Sequence, residues 1–178
     1  AEIGIDGGTI TEIAFMKYNS NTADRKIKVF MLNTTKESFV STSNWVTVGD
    51  NDLVFDGTCN FSGNAGEWTT ITLTNEFNYT GGNILLCVSD YTNSWVQSYP
   101  QFYVYEGNPS NRSLYTYQDS YPYGDNCSQS GTRRSVLNHI KFNYKPAAPK
   151  APKAPTNLAV LNDENIFIEK DRDLVLTW

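Results

Sequence analysis

The side chains that could do chemistry in this chain are one histidine, three cysteines and scattered carboxylates. His139 lies in segment 137–142, among apolar residues of the last predicted strand. A catalytic triad would need it beside a nucleophile and an orienting acid. A strand histidine of this kind is more often solvent-facing or structural, and Cys87, within the apolar run 84–88, would be a poor nucleophile because burial raises a thiol pKa. We therefore predict that the chain is not an enzyme.

The remaining acids and cysteines give no defined site. Asp50 and Asp52 could offer hard oxygen ligands to calcium, but their spacing lacks the glycine and glutamate of an EF-hand loop, and turn formation explains them better. Any bound calcium would hold loops together, and no other cofactor is expected. The cysteines Cys59, Cys87 and Cys127 are odd in number, and their spacing does not choose a disulfide pair.

Two polar loops, residues 91–95 and 120–126, support a more specific hypothesis, because they display large aromatic rings beside amide and carboxylate groups. β-Sandwich modules hold sugars in this way, with ring stacking and hydrogen bonds to hydroxyls, and aromatic residues with a polar tip also suit protein recognition. The predicted ligand-binding residues are Tyr91, Asn93, Trp95, Tyr121, Tyr123, Asp125 and Asn126.

The competing interpretation is that Trp95 and Tyr121 only cover the open end of a sandwich. Trp45 and Trp68 stand at the starts of predicted strands, where core or rim packing is the expected role.

Composition narrows the class of partner. The net charge of −5 argues against a general nucleic-acid binder, which needs clustered lysine and arginine. No 18-residue apolar run is present, so no membrane span is predicted. Apolar residues make up 39% and aromatic residues 13% of the chain, with eleven tyrosines, a composition that favours strands over helices.

Alternating polar and apolar residues, separated by turn residues, predict about nine strands and no helix of three or more turns. This pattern predicts an all-β, antiparallel, jelly-roll-like β-sandwich over residues 1–144. Segment 83–89 is apolar on both faces and is predicted to be a central, covered strand. The predicted strands are residues 9–18, 26–32, 45–48, 53–59, 68–74, 83–89, 102–105, 112–117 and 135–144.

The C-terminal part predicts a tether and a second unit. Repeated proline in segment 145–155 cannot pair into a sheet and predicts a semi-rigid linker. Segments 154–160 and 174–178 resemble strands A and B of a fibronectin type III domain, so residues 156–178 are predicted to be a partial domain of that kind. We expect the chain to be a piece of a modular protein.

Segments 8–15, 25–31, 66–73 and 77–86, with their Trp-x-x-Ile-x-Leu and Tyr-x-Gly-Gly-Asn series, resemble a β-sandwich module of secreted multidomain proteins from Bacteroidetes-type bacteria. Such modules accompany fibronectin type III repeats in surface adhesins and in the non-catalytic parts of secreted proteases and glycan-degrading enzymes. The resemblance covers residues 1–144 and implies a fold and an architectural context, with no ligand site.

These observations predict a non-catalytic binding or adhesion module of a secreted or cell-surface bacterial protein. Its expected partners are a glycan or a host surface protein, together with other domains of the same polypeptide. The alternative is a structural spacer of a large secreted protease or glycanase, with no ligand of its own.

Overall fold

In the computed structural model, residues 7–106, 110–118 and 124–147 are described. They form strands and loops, with one short 3₁₀ turn at Asp50–Asp52 and no α-helix, and none of them builds a helix able to span a membrane. The strands are β1 (Gly8–Met16), β2 (Asp24–Thr34), β3 (Leu53–Asn60), β4 (Trp68–Tyr79), β5 (Asn83–Asp90), β6 (Val104–Glu106), β7 (Ser113–Tyr115), β8 (Thr132–Arg134), β9 (Val136–Asn138) and β10 (Ile140–Pro146).

The strands assemble into two three-stranded sheets and two ribbons, and every pair is antiparallel. The first sheet has the order β10-β1-β4 and the second has the order β3-β2-β5. The ribbons are β6 with β9 and β7 with β8. The chain passes between the sheets after β1, β3 and β4, because β2 and β5 belong to the second sheet and β4 to the first.

One hydrophobic core joins the sheets. Successive strand residues point to opposite faces, so Ile13 and Phe15 on β1 and Val29 and Met31 on β2 share their inward sides. All four are at most 6% exposed and belong to one packed cluster that also contains residues of β3 and β4. The predicted antiparallel all-β sandwich is confirmed.

The second sheet is partly covered on its outer face. Phe30 points away from Val29, yet it is only 3% exposed. Lys28 on the same face pairs with Asp125 at 2.7 Å, which holds the segment beginning at residue 124 over this sheet. On the outer face of the first sheet, Trp68 and Lys141 are exposed.

Two strand predictions were wrong, and the predicted strand 135–144 is divided into β9 and β10, which pair with different strands. Residues 45–48 form no strand, because both backbone groups of Val48 bond to the side-chain amide of Asn126 instead of to a neighbouring strand. β5 lies at an edge of its sheet, and β2 is central. The apolar character of β5 on both faces therefore reflects loops packed over the sheet, and a strand on each side is not needed to explain it.

The chain divides into two compact units, Ala1–Ala148 and Pro149–Trp178. β10 continues through Pro146, two residues into the predicted linker. The rest of that linker after Ala147 and the predicted fibronectin type III segment 156–178 lie outside the described residues.

Lys17 occupies a core position, which the alternation of β1 explains. Ile13, Phe15 and Lys17 share one face, and Lys17 is 0% exposed. Its Nζ donates to the carbonyl oxygens of Asn21 at 2.5 Å and Phe61 at 3.1 Å. A buried ammonium is costly unless hydrogen bonds replace its water, and these two carbonyls provide that replacement.

Replacing Lys17 by methionine keeps an unbranched side chain and removes the ammonium. The carbonyls of Asn21 and Phe61 then lose their donor, and we expect the free energy of unfolding to fall by about 1–3 kcal/mol. Urea denaturation of the full chain measures this change. The control is Lys145→Met at an exposed ion pair, expected to change stability by less than about 0.5 kcal/mol. Equal stability of the two variants would contradict the role assigned to Lys17.

Candidate functional site

Residues 91–101, here the Trp95 loop, leave β5 and carry an exposed tryptophan. The Trp95 side chain is 68% exposed, and Tyr99 on the same loop is 56% exposed. A large ring displayed to this extent contributes little to the core. The Trp95 loop is therefore the part of the predicted site that is sterically open to a ligand.

The first half of the loop is held to β2. Arg25 Nε donates to Asp90 Oδ2 at 2.7 Å, and Arg25 Nη1 donates to the carbonyl of Ser94 at 2.8 Å. The Tyr91 amide donates to the Lys26 carbonyl at 2.9 Å. Burial opposes ionisation of Asp90, but hydrogen bonds from Arg25 and Thr92 outweigh it, so the pKa of Asp90 lies below its ordinary value.

The second half of the loop is held to the segment after β1. The side-chain amides of Asn19 and Asn21 both donate to the Tyr99 carbonyl, at 3.3 and 3.2 Å. Backbone bonds add to them, since the Tyr18 amide donates to the Gln101 carbonyl at 2.8 Å. Trp95 thus lies between two anchored ends, which limits the entropy that its loop would lose on binding.

The other predicted ligand residues mostly serve the protein's own hydrogen bonds. Tyr91 Oη donates to Asp56 Oδ1 at 2.6 Å, and this bond raises the pKa of Tyr91. Asp125 accepts from Lys28 and raises the pKa of that lysine. The Asn126 side chain bonds to both backbone groups of Val48.

The structure brings Tyr91 and Asp125 together around one cation. Lys28 interacts electrostatically with Asp125, Asp56 and Tyr91, so parts of the two predicted loops meet on the outer face of the second sheet. Asn93 adopts a left-handed backbone conformation with φ 54°, as expected of a turn asparagine. Tyr121 and Tyr123 lie outside the described residues.

The residues weighed for catalysis or metal binding have structural contacts. His139 is exposed and stacks on Tyr103, with ring centroids 5.9 Å apart. Asp52 accepts from the Gly49 amide at 2.9 Å within its own turn, which also contains Asp50. Within residues 7–106, 110–118 and 124–147, no three histidine, cysteine or acidic side chains lie together in a way that could hold a metal ion.

The three cysteines are free thiols. Burial raises the pKa of Cys59 and of Cys87 to about 11 each, with smaller contributions from the carboxylates of Asp24 and Asp125. Cys127 is partly exposed, and its Sγ accepts from the Gln129 amide at 3.4 Å.

The sequence predicted core or rim packing for Trp68, and the residue is 36% exposed on the outer face of the first sheet, so it is not in the core. The signal was present in the alternation of β4. Ile71 and Leu73 are buried, so residues 68, 70 and 72 must point outward.

Replacing Arg25 by alanine removes both of its contacts to the Trp95 loop. The amides of Tyr91 and Thr92 donate to the Lys26 carbonyl and to Asp90 Oδ1. We expect hydrogen exchange at these two amides to accelerate about fivefold to tenfold, since partly exposed charged hydrogen bonds of this kind contribute about 1 kcal/mol. Mass spectrometry of deuterium uptake gives the rates. Arg134→Ala, at an exposed arginine of β8, is the control and leaves them unchanged.

The effect of Arg25→Ala depends on pH with a defined sign. The pKa of Asp90 is lower in the folded protein than in the unfolded chain. Ionised Asp90 therefore stabilises the folded loop fully above the unfolded pKa of about 3.9, and this stabilisation is lost as pH falls through the folded pKa. The difference in exchange between wild type and Arg25→Ala therefore shrinks in strong acid. A difference that grows on acidification would show that Asp90 is not the partner that matters.

The thiols provide an independent check of burial. At pH 8, iodoacetamide is expected to label Cys127 first, while Cys59 and Cys87 react only after urea is added, because the thiolate is the nucleophile and a pKa of about 11 leaves little of it. Intact-mass spectrometry counts the labels, with Cys127→Ser as the control. Native labelling of Cys59 as fast as that of Cys127 would refute the core position of Cys59.

Comparison of the chain with protein-family models, curated protein sequences and solved structures finds no match. Its function is therefore inferred from its own residues and their geometry.

Proposed function

We propose that the chain is a non-catalytic, glycan-binding module of a secreted or cell-surface bacterial protein. The observation that carries the proposal is Trp95, 68% exposed on a loop that is anchored on both sides. Its partners are saccharides on a cell or host surface, and other domains of the same polypeptide complete the parent protein.

The physical basis is the match between an indole ring and the face of a pyranose. Trp95 offers a large flat apolar surface, and exposed polar groups of Asn93 and Ser94 lie beside it in the chain. Binding then pays little ordering entropy, because Arg25 and Asn21 hold the loop without a ligand. Stacking supplies affinity, and hydrogen bonds to hydroxyl groups supply specificity.

A structural spacer with no ligand is the second candidate, and a specific observation favours it. Tyr91, Asp125 and Asn126 are engaged in bonds within the protein. If Trp95 has no ligand, these loops serve only to cover the second sheet.

The test is a glycan array probed with the full chain and with Trp95→Ala. The variant is expected to lose array signal by about tenfold or more, since removing a central aromatic contact costs about 1.4 kcal/mol or more. Circular dichroism checks that the variant is folded.

The matched control is Tyr117→Ala, at a tyrosine that is 77% exposed and stacks on Tyr115. It is expected to bind as wild type does. A blank array for the wild-type chain would favour the spacer, and equal losses in both variants would remove Trp95 from the site.

A further inference from the structure

The outer face of the first sheet contains a groove of about 270 Å³ along β1. Ala14, which is 2% exposed, forms its floor, because the small side chain of the central strand lies between larger ones on both neighbours. Thr70 on β4 forms one wall, and Lys141 and Asn143 on β10 form the other. Thr70, Lys141 and Asn143 on this face are exposed polar residues.

One end of the groove is an oriented carboxylate. Glu12 accepts from Thr72 Oγ1 at 3.2 Å and from Asn143 Nδ2 at 3.1 Å. These bonds reach to both neighbouring strands and fix the carboxylate across the groove. A carboxylate has about four acceptor positions, so lone pairs stay available for hydroxyl donors.

At the other end the Lys141 ammonium group lines the groove, and the Trp68 indole lies against that ammonium group outside the groove lining. Lys141 Nζ lies 5.0 Å from the centre of the Trp68 ring, and that ring is 36% exposed. Among the described residues, the ion pairs present do not include Lys141. This ammonium group, which contacts the Trp68 ring, can also pair with an anion.

The backbone positions that carry the two ends lie about 7 Å apart, which is the scale of one sugar ring. Lys141 pairs with Ala14 across the strands, and Asn143 pairs with Glu12 two residues away, which is about 7 Å along the strand. A hexuronic acid has a carboxylate on one side of its ring and vicinal hydroxyl groups on the other. The sugar carboxylate therefore matches the Lys141 end of the groove, and the sugar hydroxyl groups match the Glu12 end.

We propose that this groove binds a hexuronic acid residue of an acidic glycan. Lys141 pairs with the sugar carboxylate, Trp68 contacts the sugar ring, and Glu12 accepts hydrogen bonds from the sugar hydroxyl groups. A neutral hexose would leave Lys141 without its anion. The inference adds a saccharide class and a second site to the proposed glycan binding, and it does not depend on Trp95.

The experiment titrates the full ¹⁵N-labelled chain with trigalacturonic acid and, separately, with uncharged galactotriose, following amide shifts by NMR. The acidic trisaccharide is expected to shift the amide signals of groove residues. Lys141→Gln is expected to weaken its binding by about tenfold, because one charge-assisted contact is lost. Lys141→Arg keeps the charge, and its affinity for trigalacturonic acid is expected to stay within a few-fold of the wild-type affinity. Because the contact is an exposed ion pair, added salt weakens binding.

Lys145→Gln is the matched control, on the same strand but paired with Glu76. Equal weakening by Lys145→Gln would reduce the effect to net charge and overturn the site. Absence of any shift with trigalacturonic acid, or equal affinity for galactotriose, would also overturn it. Trp95→Ala separates the proposals: binding of the acidic trisaccharide that survives this variant supports the groove, whereas binding lost only there returns the saccharide to the Trp95 loop.

Discussion

The interaction on which the arrangement depends is the burial of the Lys17 ammonium at the end of β1. The strand alternation places this charge inside, and two carbonyl groups from different loops replace its water. The backbone of Lys17 also bonds to Glu67 and bridges to Phe102, so one residue connects three segments of the chain: the loop after β1, the loop after β3 and the segment before β6. Asn21, which holds Lys17 on one side, holds Tyr99 of the Trp95 loop on the other.

The two sheets have the same inner role and different outer roles. Part of the outer face of the second sheet is covered by segments fixed through Lys28 and Asn126. Lys26 and Asp56 on the same face stay exposed. The first sheet presents Trp68, Lys141 and an oriented Glu12 to solvent. Burying these groups against another part of the protein would cost desolvation, whereas a saccharide offers partners for each of them.

Alternation predicted most strands well, because it reports directly which side chains face a core. The alternation correctly placed Ile71 and Leu73 of β4 on one face, which is the buried one, and it could have shown that Trp68 faces outward. It failed at residues 45–48, whose backbone bonds go to the Asn126 side chain, a contact that no local pattern encodes. Of the predicted site, the exposure of Trp95 was foreseeable from its polar loop, while the bonds of Tyr91 and Asp125 to distant strands were not.

The central claim, that exposed indoles on this sandwich bind saccharide, is tested most directly by the tryptophan indole signals in a ¹⁵N NMR titration with the saccharide that binds best on the array. The account predicts that Trp95, or Trp68 for an acidic saccharide, shifts in a saturable way. The indole of Trp45, which donates to the Gln129 carbonyl at 2.6 Å, should stay in place. Saturable binding that leaves both Trp95 and Trp68 unshifted would contradict the account.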